Sequence, residues 1–236
     1  MAKKSWIVLF VSILTIHLAA IAFNSLFIEY ISKPLIVATL ALYFNSSTSA
    51  NHSGLKKWIL LALVFSWIGD VFLMFQPNAS EFFLLGLLAF LVAHVFYIVF
   101  FHGVRTIENI RGKPLLVVIV VLYYAGLIFF LSPYLGDMKL PVRIYGIVIS
   151  FMLMLALHTL FIKNKMAGRY LAIGAFLFVA SDSMLAVNKF YQSFTGAGLC
   201  IMLSYGLAQL FITQGAIQYI RNLDNTNDLN INNLSV

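Results

Sequence analysis

Eight apolar stretches follow one another along this chain, and most approach the length that crosses a membrane. About 20 apolar residues in a helix span the hydrocarbon core of a bilayer. Only 10% of the residues are charged and 62% are apolar, whereas an ordinary soluble domain carries about 25% charged residues. The sequence therefore predicts a polytopic integral membrane protein with spans near 6–23, 33–45, 57–75, 81–101, 114–132, 141–162, 168–188 and 195–219.

Each stretch is predicted to be a helix, because lipid offers no hydrogen bonds to an open backbone. Pro34, Pro114 and Pro141 lie at or near the predicted helix starts, where a missing N–H is harmless. The first stretch has no small-residue cleavage site and is predicted to be a retained span rather than a signal peptide. The fold class is thus all-α, with one eight-helix transmembrane domain over 1–221. The polar, Asn-rich tail over 222–236 is expected to be disordered and cytoplasmic.

The basic residues are divided unequally between the two sides of the predicted bundle. An even number of spans places both termini on the same side. If both are cytoplasmic, eleven Lys and Arg residues fall inside and four outside, as the positive-inside rule requires. We therefore expect both termini to be cytoplasmic. The membrane itself is expected to be a bacterial inner membrane. The same bias accounts for the net charge of +7 without a nucleic-acid partner.

Two acidic residues fall well inside the predicted spans: Asp70 in "FSWIGDVFLMF" and Asp182 in "FVASDSMLAVNKF". A carboxylate at the centre of a membrane helix costs roughly 2.5–3.5 kcal/mol on insertion scales. Both aspartates lie about 7–9 Å below the outer surface, on spans three and seven, which run in the same direction. This symmetry suggests a weak parallel repeat of four plus four helices. We expect the two carboxylates to face one cavity.

An intramembrane aspartate has an alternative role, because it can hydrogen-bond a neighbouring helix and only fix the packing. Two aspartates at equal depth favour a functional site. Polar residues near the expected cavity are candidates for substrate binding, although Lys33 could instead snorkel to the interface and His94 could be a core histidine bonded to a carbonyl. Lys33 is placed at the outer start of span two, and Gly86, Phe90, His94 and Tyr97 share one face of span four. The candidate set is Lys33, His94, Tyr97, Ser181 and Tyr205.

The sequence does not predict a metal site or another cofactor. Zinc needs three or four His, Cys or carboxylate ligands, and His94 and His102 are separated by about 12 Å along a helix. The chain has one cysteine, Cys200, and neither an HExxH motif nor the GxSxG elbow of serine hydrolases.

Two carboxyl groups in an apolar pocket suit general acid–base catalysis, with one group protonated and the other ionised. Glycosidases use this division to pass through an oxocarbenium ion, and the hydrolysis of a vinyl ether passes through a closely related cation. A proton-coupled transporter is an alternative, since buried acids also serve as proton relays and repeats are common in transporters. A zinc-dependent membrane hydrolase is a third reading, which the small number of ligands disfavours.

Four segments occur in a fixed order on the apolar spans: "SKPL", "GDVFLM", "GLLAFLVAHVFY" and "SDSMLAVNKF". With these segments the chain, over roughly 5–220, resembles the YhhN family of membrane lysoplasmalogenases. The resemblance implies hydrolysis of the vinyl ether of a lysoplasmalogen to a fatty aldehyde and glycerophospho-ethanolamine or -choline. The expected partners are then a lysophospholipid, water and membrane lipid. The two aspartates of the family match Asp70 and Asp182, which would be catalytic. Headgroup preference, oligomeric state and the division of roles between the aspartates are left open.

Overall fold

The computed structural model describes residues 3–51, 53–76, 79 and 81–234, with side chains described as far as Leu223. Within this part of the chain the regular structure is helical throughout. Eight segments are long and apolar enough to cross a membrane, which confirms the all-α, polytopic prediction. The long helices are α1 (Lys3–Ala22), α2 (Leu26–Ser47), α3 (Lys56–Met74), α4 (Glu81–Ile107), α5 (Pro114–Leu131), α6 (Lys139–His158), α7 (Lys165–Ala186) and α8 (Ala197–Leu234).

The second helix differs from its prediction. It begins at Leu26 rather than near Lys33, so Pro34 lies inside the helix instead of at its start. The preceding segment, "LFIEYIS", is itself apolar and continues the span, and membrane helices tolerate an internal proline better than soluble ones. Lys33 therefore lies about two turns inside α2 rather than at its outer end.

Local sequence signals set several of the helix ends. Pro114 occupies the first turn of α5, where its fixed φ suits a helix start. The side chain of Asn164 caps α7 by accepting a hydrogen bond of 3.1 Å from the Ala167 N–H. Gly196, with φ +77, makes the turn into α8. Beyond its α-helical part, α7 continues as a π-helical turn over Val187–Tyr191.

Small residues bring α7 and α8 into the most extensive helix contact of the bundle. A Cβ atom on Gly174 would lie 2.7 Å from the backbone nitrogen of Ile212, and one on Gly215 would lie 2.9 Å from that of Leu171. Glycine at these positions lets the two backbones approach closely. The helices α7 and α8 therefore pack as a close pair.

The second most extensive contact joins α3 and α4. A Cβ atom on Gly69 would lie 2.6 Å from a ring atom of Phe90, and one on Gly86 would lie 2.8 Å from the side chain of Leu73. Both glycines thus allow α4 to lie close to α3 beside Asp70. The pairs α3–α4 and α7–α8 occupy corresponding places in a four-plus-four arrangement, and the repeat itself remains a prediction.

Five helices surround the interior of the bundle, since α3, α4, α6, α7 and α8 contact one another in a closed sequence. We call the side where α3 and α7 end and α4, α6 and α8 begin the far face, because an even number of crossings puts it opposite the termini. The predicted tail, 222–236, overlaps the end of α8, which is helical as far as Leu234, although side chains are described only to Leu223. Its disorder remains a prediction.

Candidate active site

The two intramembrane aspartates lie in the last turns of the α-helical parts of α3 and α7. Asp70 is four residues before Met74, the end of α3, and Asp182 is four residues before Ala186, the end of α7. Four residues correspond to about 6 Å along a helix. The π-helical turn continues α7 to Tyr191, so the helix ends alone do not fix the depth of Asp182, and the equal depth of the two carboxyl groups remains a prediction.

Both aspartates line one cavity that opens between α3, α4, α6, α7 and α8. The space between its walls is about 820 Å³, which includes the part that opens to the surroundings. The walls are largely apolar, and a few polar side chains converge in the cavity. These polar groups are Lys33, Asp70, Gln76, Tyr145, Ser181, Asp182 and Tyr205.

Asp70 is almost completely buried, with 2% of its surface exposed. Its Oδ2 atom accepts a hydrogen bond of 2.8 Å from the hydroxyl group of Tyr205 on α8. The ammonium group of Lys33 on α2 is near enough to interact electrostatically with the carboxylate. Asp70 thus has a hydrogen-bond donor and a cation as its neighbours, each from a different helix.

Asp182 has a different set of neighbours. Its Oδ2 atom accepts a short hydrogen bond from the hydroxyl group of Tyr145 on α6. The negative charge of Asp70 also acts on Asp182. The two carboxyl groups therefore share one electrostatic environment, although they come from helices far apart in the sequence.

A chain of hydrogen bonds extends from Asp70 into the core between α4 and α8. The hydroxyl group of Tyr97 donates to Oε1 of Gln209 at 2.6 Å, and Nε2 of Gln209 approaches the Tyr205 hydroxyl at 3.4 Å. Gln209 and Tyr97 are fully buried. Tyr97, predicted to bind substrate, instead lies outside the cavity lining and reaches Asp70 only through two other side chains.

His94 also lies outside the lining of the cavity. Its ring is fully buried and packs edge-on against Phe178 and Tyr145, with ring centroids 4.8 and 5.3 Å away. Among the described residues, neither of its ring nitrogens has a hydrogen-bond partner within normal geometry, although the backbone of Phe90, one turn earlier, acts on the ring electrostatically. His94 thus packs against the ring of Tyr145 and helps to hold this tyrosine in place.

The structure brings five of the seven predicted site residues to the cavity: Lys33, Asp70, Ser181, Asp182 and Tyr205. The hydroxyl group of Ser181 is engaged in packing, because it donates a hydrogen bond of 2.9 Å to the carbonyl group of Ile201 on α8. Sequence reasoning missed Tyr145. One signal for it was available: it lies six residues after Lys139, the start of α6, hence about 9 Å below the far face.

A second, more polar space of about 900 Å³ adjoins the cavity at the far face. Lys33 and Gln76 line both spaces, so the two spaces lie side by side. Glu29, one turn before Lys33 on α2, and Asn188, in the π-helical turn, line the outer space, which we call the vestibule. The vestibule thus contains a basic side chain, Lys33, and an acidic side chain, Glu29. These two charges are complementary to those of a zwitterionic headgroup.

A zinc-dependent hydrolase would need three or four His, Cys or carboxylate ligands close together. Over the described ranges, no three His, Cys, Asp or Glu side chains come together in an arrangement that could hold a metal ion. Asp70 and Asp182 therefore lack a third ligand of these types in that part of the chain.

The chain is similar to a known protein family and to several named proteins. The sequence profile of the YhhN family matches residues 28–216. The chain is 30% identical to a lysoplasmalogenase of Mycobacterium bovis over 187 residues, which cover 78% of this chain and 69% of the relative. It is 36% identical to the human lysoplasmalogenase TMEM86B over 158 residues, or 66% of this chain and 62% of the relative. The rat TMEM86B lysoplasmalogenase is 34% identical over 167 residues, 70% of this chain and 64% of its own length. No solved structure matches the chain.

Proposed function

Since the chain belongs to the YhhN family, we propose that it hydrolyses the vinyl ether bond of a lysoplasmalogen or a related ether lysolipid, with Asp70 and Asp182 as the acid–base pair. The protein is an ether hydrolase of the lysoplasmalogenase type, with relatives of that name at 30–36% identity. One observation supports the proposed mechanism above the others. Two carboxyl groups on α3 and α7 lie in one largely apolar cavity, where acid–base chemistry is shielded from bulk water.

The polar and apolar parts of the cavity suggest how a lysolipid binds. The phosphate group would lie near the Lys33 ammonium, at the boundary between vestibule and cavity. Lysine binds phosphate as a compact point charge. The glycerol ether then extends inward, and the vinyl ether reaches the level of the two aspartates.

The first chemical step is protonation of the alkenyl carbon that lies β to the ether oxygen. One aspartic acid donates this proton, and the resulting positive charge is shared between the α carbon and the ether oxygen. The other aspartate, ionised, stabilises this oxocarbenium ion. The reaction needs no covalent enzyme intermediate, and it consumes a single water molecule.

Water adds to the α carbon in the second step, and the ionised carboxylate accepts a proton from it. The product is a hemiacetal. The hemiacetal then collapses: the bond from the α carbon to the glycerol oxygen breaks, and that oxygen takes the proton that the base had accepted from water. The hemiacetal hydroxyl gives its proton to the carboxylate that had acted as the acid. A fatty aldehyde and a glycerophospho-alcohol leave, and the two carboxyl groups return to their starting states.

The two aspartates have different neighbouring groups, and this difference supports one as the base and the other as the proton donor. Lys33 places a positive charge near Asp70, which suits the ionised base and cation stabiliser. Asp182 has the Tyr145 hydroxyl and the charge of Asp70 as neighbours, which suits the proton donor. Tyr145 and Tyr205 are positioning residues in this scheme, because each fixes one carboxyl group by a hydrogen bond.

The protein is an integral membrane protein with eight candidate spans. We propose a bacterial inner-membrane location with cytoplasmic termini, which is supported by the unequal distribution of basic residues between the two sides. In this orientation the far face and the mouth of the vestibule are periplasmic.

Release of aldehyde from a lysoplasmalogen by the purified protein tests the function directly. The assay is run in detergent, where no ion gradient exists, so turnover there would separate a hydrolase from a proton-coupled transporter. A saturated ether analogue of the same lipid is the matched control, because it lacks the double bond that must be protonated. Absence of aldehyde from a panel of alkenyl lysolipids, with folded protein, would contradict the proposal.

A further inference from the structure

An apolar groove runs between α4 and α6 on the side of the bundle. Its empty volume is about 600 Å³. The walls are four leucines of α4, Leu84, Leu87, Leu88 and Leu91, and the first turns of α6 as far as Ile144 and Tyr145. Apart from the Tyr145 hydroxyl, these side chains are hydrocarbon and aromatic carbon. A ligand for this groove has to be apolar as well.

The groove adjoins the cavity that holds the aspartates. Leu87 and Tyr145 line both spaces, and the hydroxyl group of Tyr145 binds Asp182. A chain lying in the groove would therefore pass Tyr145 immediately before reaching the carboxyl groups. This arrangement places a polar reaction centre at one end of an apolar path.

The other side of the groove opens towards the surroundings of the bundle. Leu88 on α4 is 47% exposed and Ile144 on α6 is 45% exposed, and in a membrane such positions face lipid. Leu84 to Leu91 lie about 4–15 Å from the start of α4. This range corresponds to one leaflet of a hydrocarbon core that is about 30 Å thick, the depth at which the chain of a lysolipid already lies.

We propose that this α4–α6 groove binds the hydrocarbon chain of the substrate and is the lateral entrance through which a single-chain lipid moves from the bilayer to the aspartates. The inference rests on the proposed function, since it identifies the occupant of the groove as the alkenyl chain of that lysolipid. A chain gains little free energy by exchanging lipid for leucine, because the two are equally apolar. The groove therefore acts by shape, and it aligns the vinyl ether with the carboxyl groups.

Filling the groove with tryptophan tests the proposal. Leu88→Trp and Ile144→Trp place a large ring in the groove at exposed positions, where folding is least affected. Two lysoplasmalogens with the same headgroup are compared, one with a long chain and one with a chain too short to reach Leu88. We expect kcat/KM for the long-chain substrate to fall about 10–100-fold relative to the short-chain substrate, since a misplacement of about 1 Å can cost on the order of 10²-fold.

Two nearby exposed residues provide matched controls. Leu85 on α4 is 41% exposed and Ile147 on α6 is 55% exposed, and neither lines the groove. Leu85→Trp and Ile147→Trp should leave the ratio between the two substrates unchanged. An equal ratio in groove variants and controls would overturn the proposal.

A binding measurement separates this inference from the proposed function. A long-chain lysolipid with a photoreactive group at the end of its chain is crosslinked to the wild-type protein in vesicles. Labelling of α4 and α6 supports the groove even if no aldehyde is released. Labelling spread evenly over the lipid-facing helices, α1 and α5 included, would contradict it, whatever the activity.

Discussion

The hydroxyl group of Tyr205 donates a hydrogen bond of 2.8 Å to Asp70, although the two residues are 135 positions apart in the chain. Tyr145 donates in the same way to Asp182. In both cases the tyrosine and the aspartate come from different helices. Each carboxyl group is thus held by a donor that is itself packed in the bundle, and we expect this arrangement to be required for catalysis.

Removal of either tyrosine hydroxyl should slow the reaction without unfolding the protein. Hydrogen bonds to charged groups are worth about 1.5–3 kcal/mol, which corresponds to roughly 10–100-fold in rate. We therefore expect Tyr205→Phe and Tyr145→Phe to lower kcat by that factor, with KM nearly unchanged. The measurement is steady-state aldehyde release.

Tyr43→Phe is the matched control for these variants. Tyr43 is also buried and accepts a hydrogen bond of 2.9 Å from Gln214, but it does not line the cavity. Its replacement should leave kcat within about twofold, a difference of less than about 0.5 kcal/mol. If all three variants lost activity equally, the tyrosines would be acting through packing alone.

Lys33 is expected to contribute to substrate binding through its charge. If it binds the phosphate group, Lys33→Ala should raise KM for a charged lysolipid more than it lowers kcat, and Lys33→Arg should retain most of the binding. An alkenyl glycerol without phosphate serves as the control substrate, and its KM should not change. An unchanged KM for the charged substrate would show that Lys33 does not bind the phosphate group and acts through its charge on Asp70 alone.

The close contact between α3 and α4 gives a prediction about stability. A Cβ atom on Gly69 would lie 2.6 Å from the Phe90 ring, so Gly69→Ala should destabilise the protein by about 1–3 kcal/mol through overpacking. Phe90→Leu in the same chain should restore most of this loss. Gly126→Ala is the control, because a Cβ atom there would meet nothing within 4 Å. The unfolding temperature in detergent is measured for the wild type, Gly69→Ala, the double variant with Phe90→Leu, and Gly126→Ala.

Much of the fold could be predicted from the sequence, because a membrane restricts each span to a helix of limited length. The eight predicted spans all correspond to helices, and α2 shows where the reasoning failed. Pro34 and Glu29 interrupt the apolar pattern, so the pattern predicts a helix start seven residues too late. Tertiary packing and lipid, rather than local propensity, decide such a boundary.

The candidate site was predictable in part, since a buried charge in a span is a strong signal whereas a tyrosine is not. Asp70, Asp182 and Tyr205 could be proposed from the sequence, and they line the cavity. Tyr145 and the indirect position of Tyr97 depend on the rotation of α6 and α4 within the bundle. Helix rotation is set by contacts between helices, and one sequence does not specify these contacts.

The proposed orientation can be tested by fusion reporters. A reporter after Val236 should be active only as a cytoplasmic marker, and one inserted after Asp137, in the connection between α5 and α6, only as a periplasmic marker. The reverse result would place the vestibule in the cytoplasm and contradict the charge argument.

The strictest test concerns the two aspartates themselves. Asp70→Asn and Asp182→Asn keep the size of each side chain and most of its hydrogen bonding, but neither amide can donate or accept a proton as a carboxyl group does. General acid–base groups typically contribute about 10²–10⁴-fold, so each variant should lose about that much in kcat.

The double variant separates catalysis from packing. If the two carboxyl groups act as a unit, the double Asn variant should lose far less than the product of the two single losses. Asp137→Asn, at an exposed position outside the cavity, is the control and should retain wild-type turnover. A purely structural role predicts the opposite pattern, with poor yield or lowered unfolding temperature and near-normal turnover in the protein that folds. Wild-type aldehyde release by both well-folded Asn variants would show that the acid–base assignment is wrong.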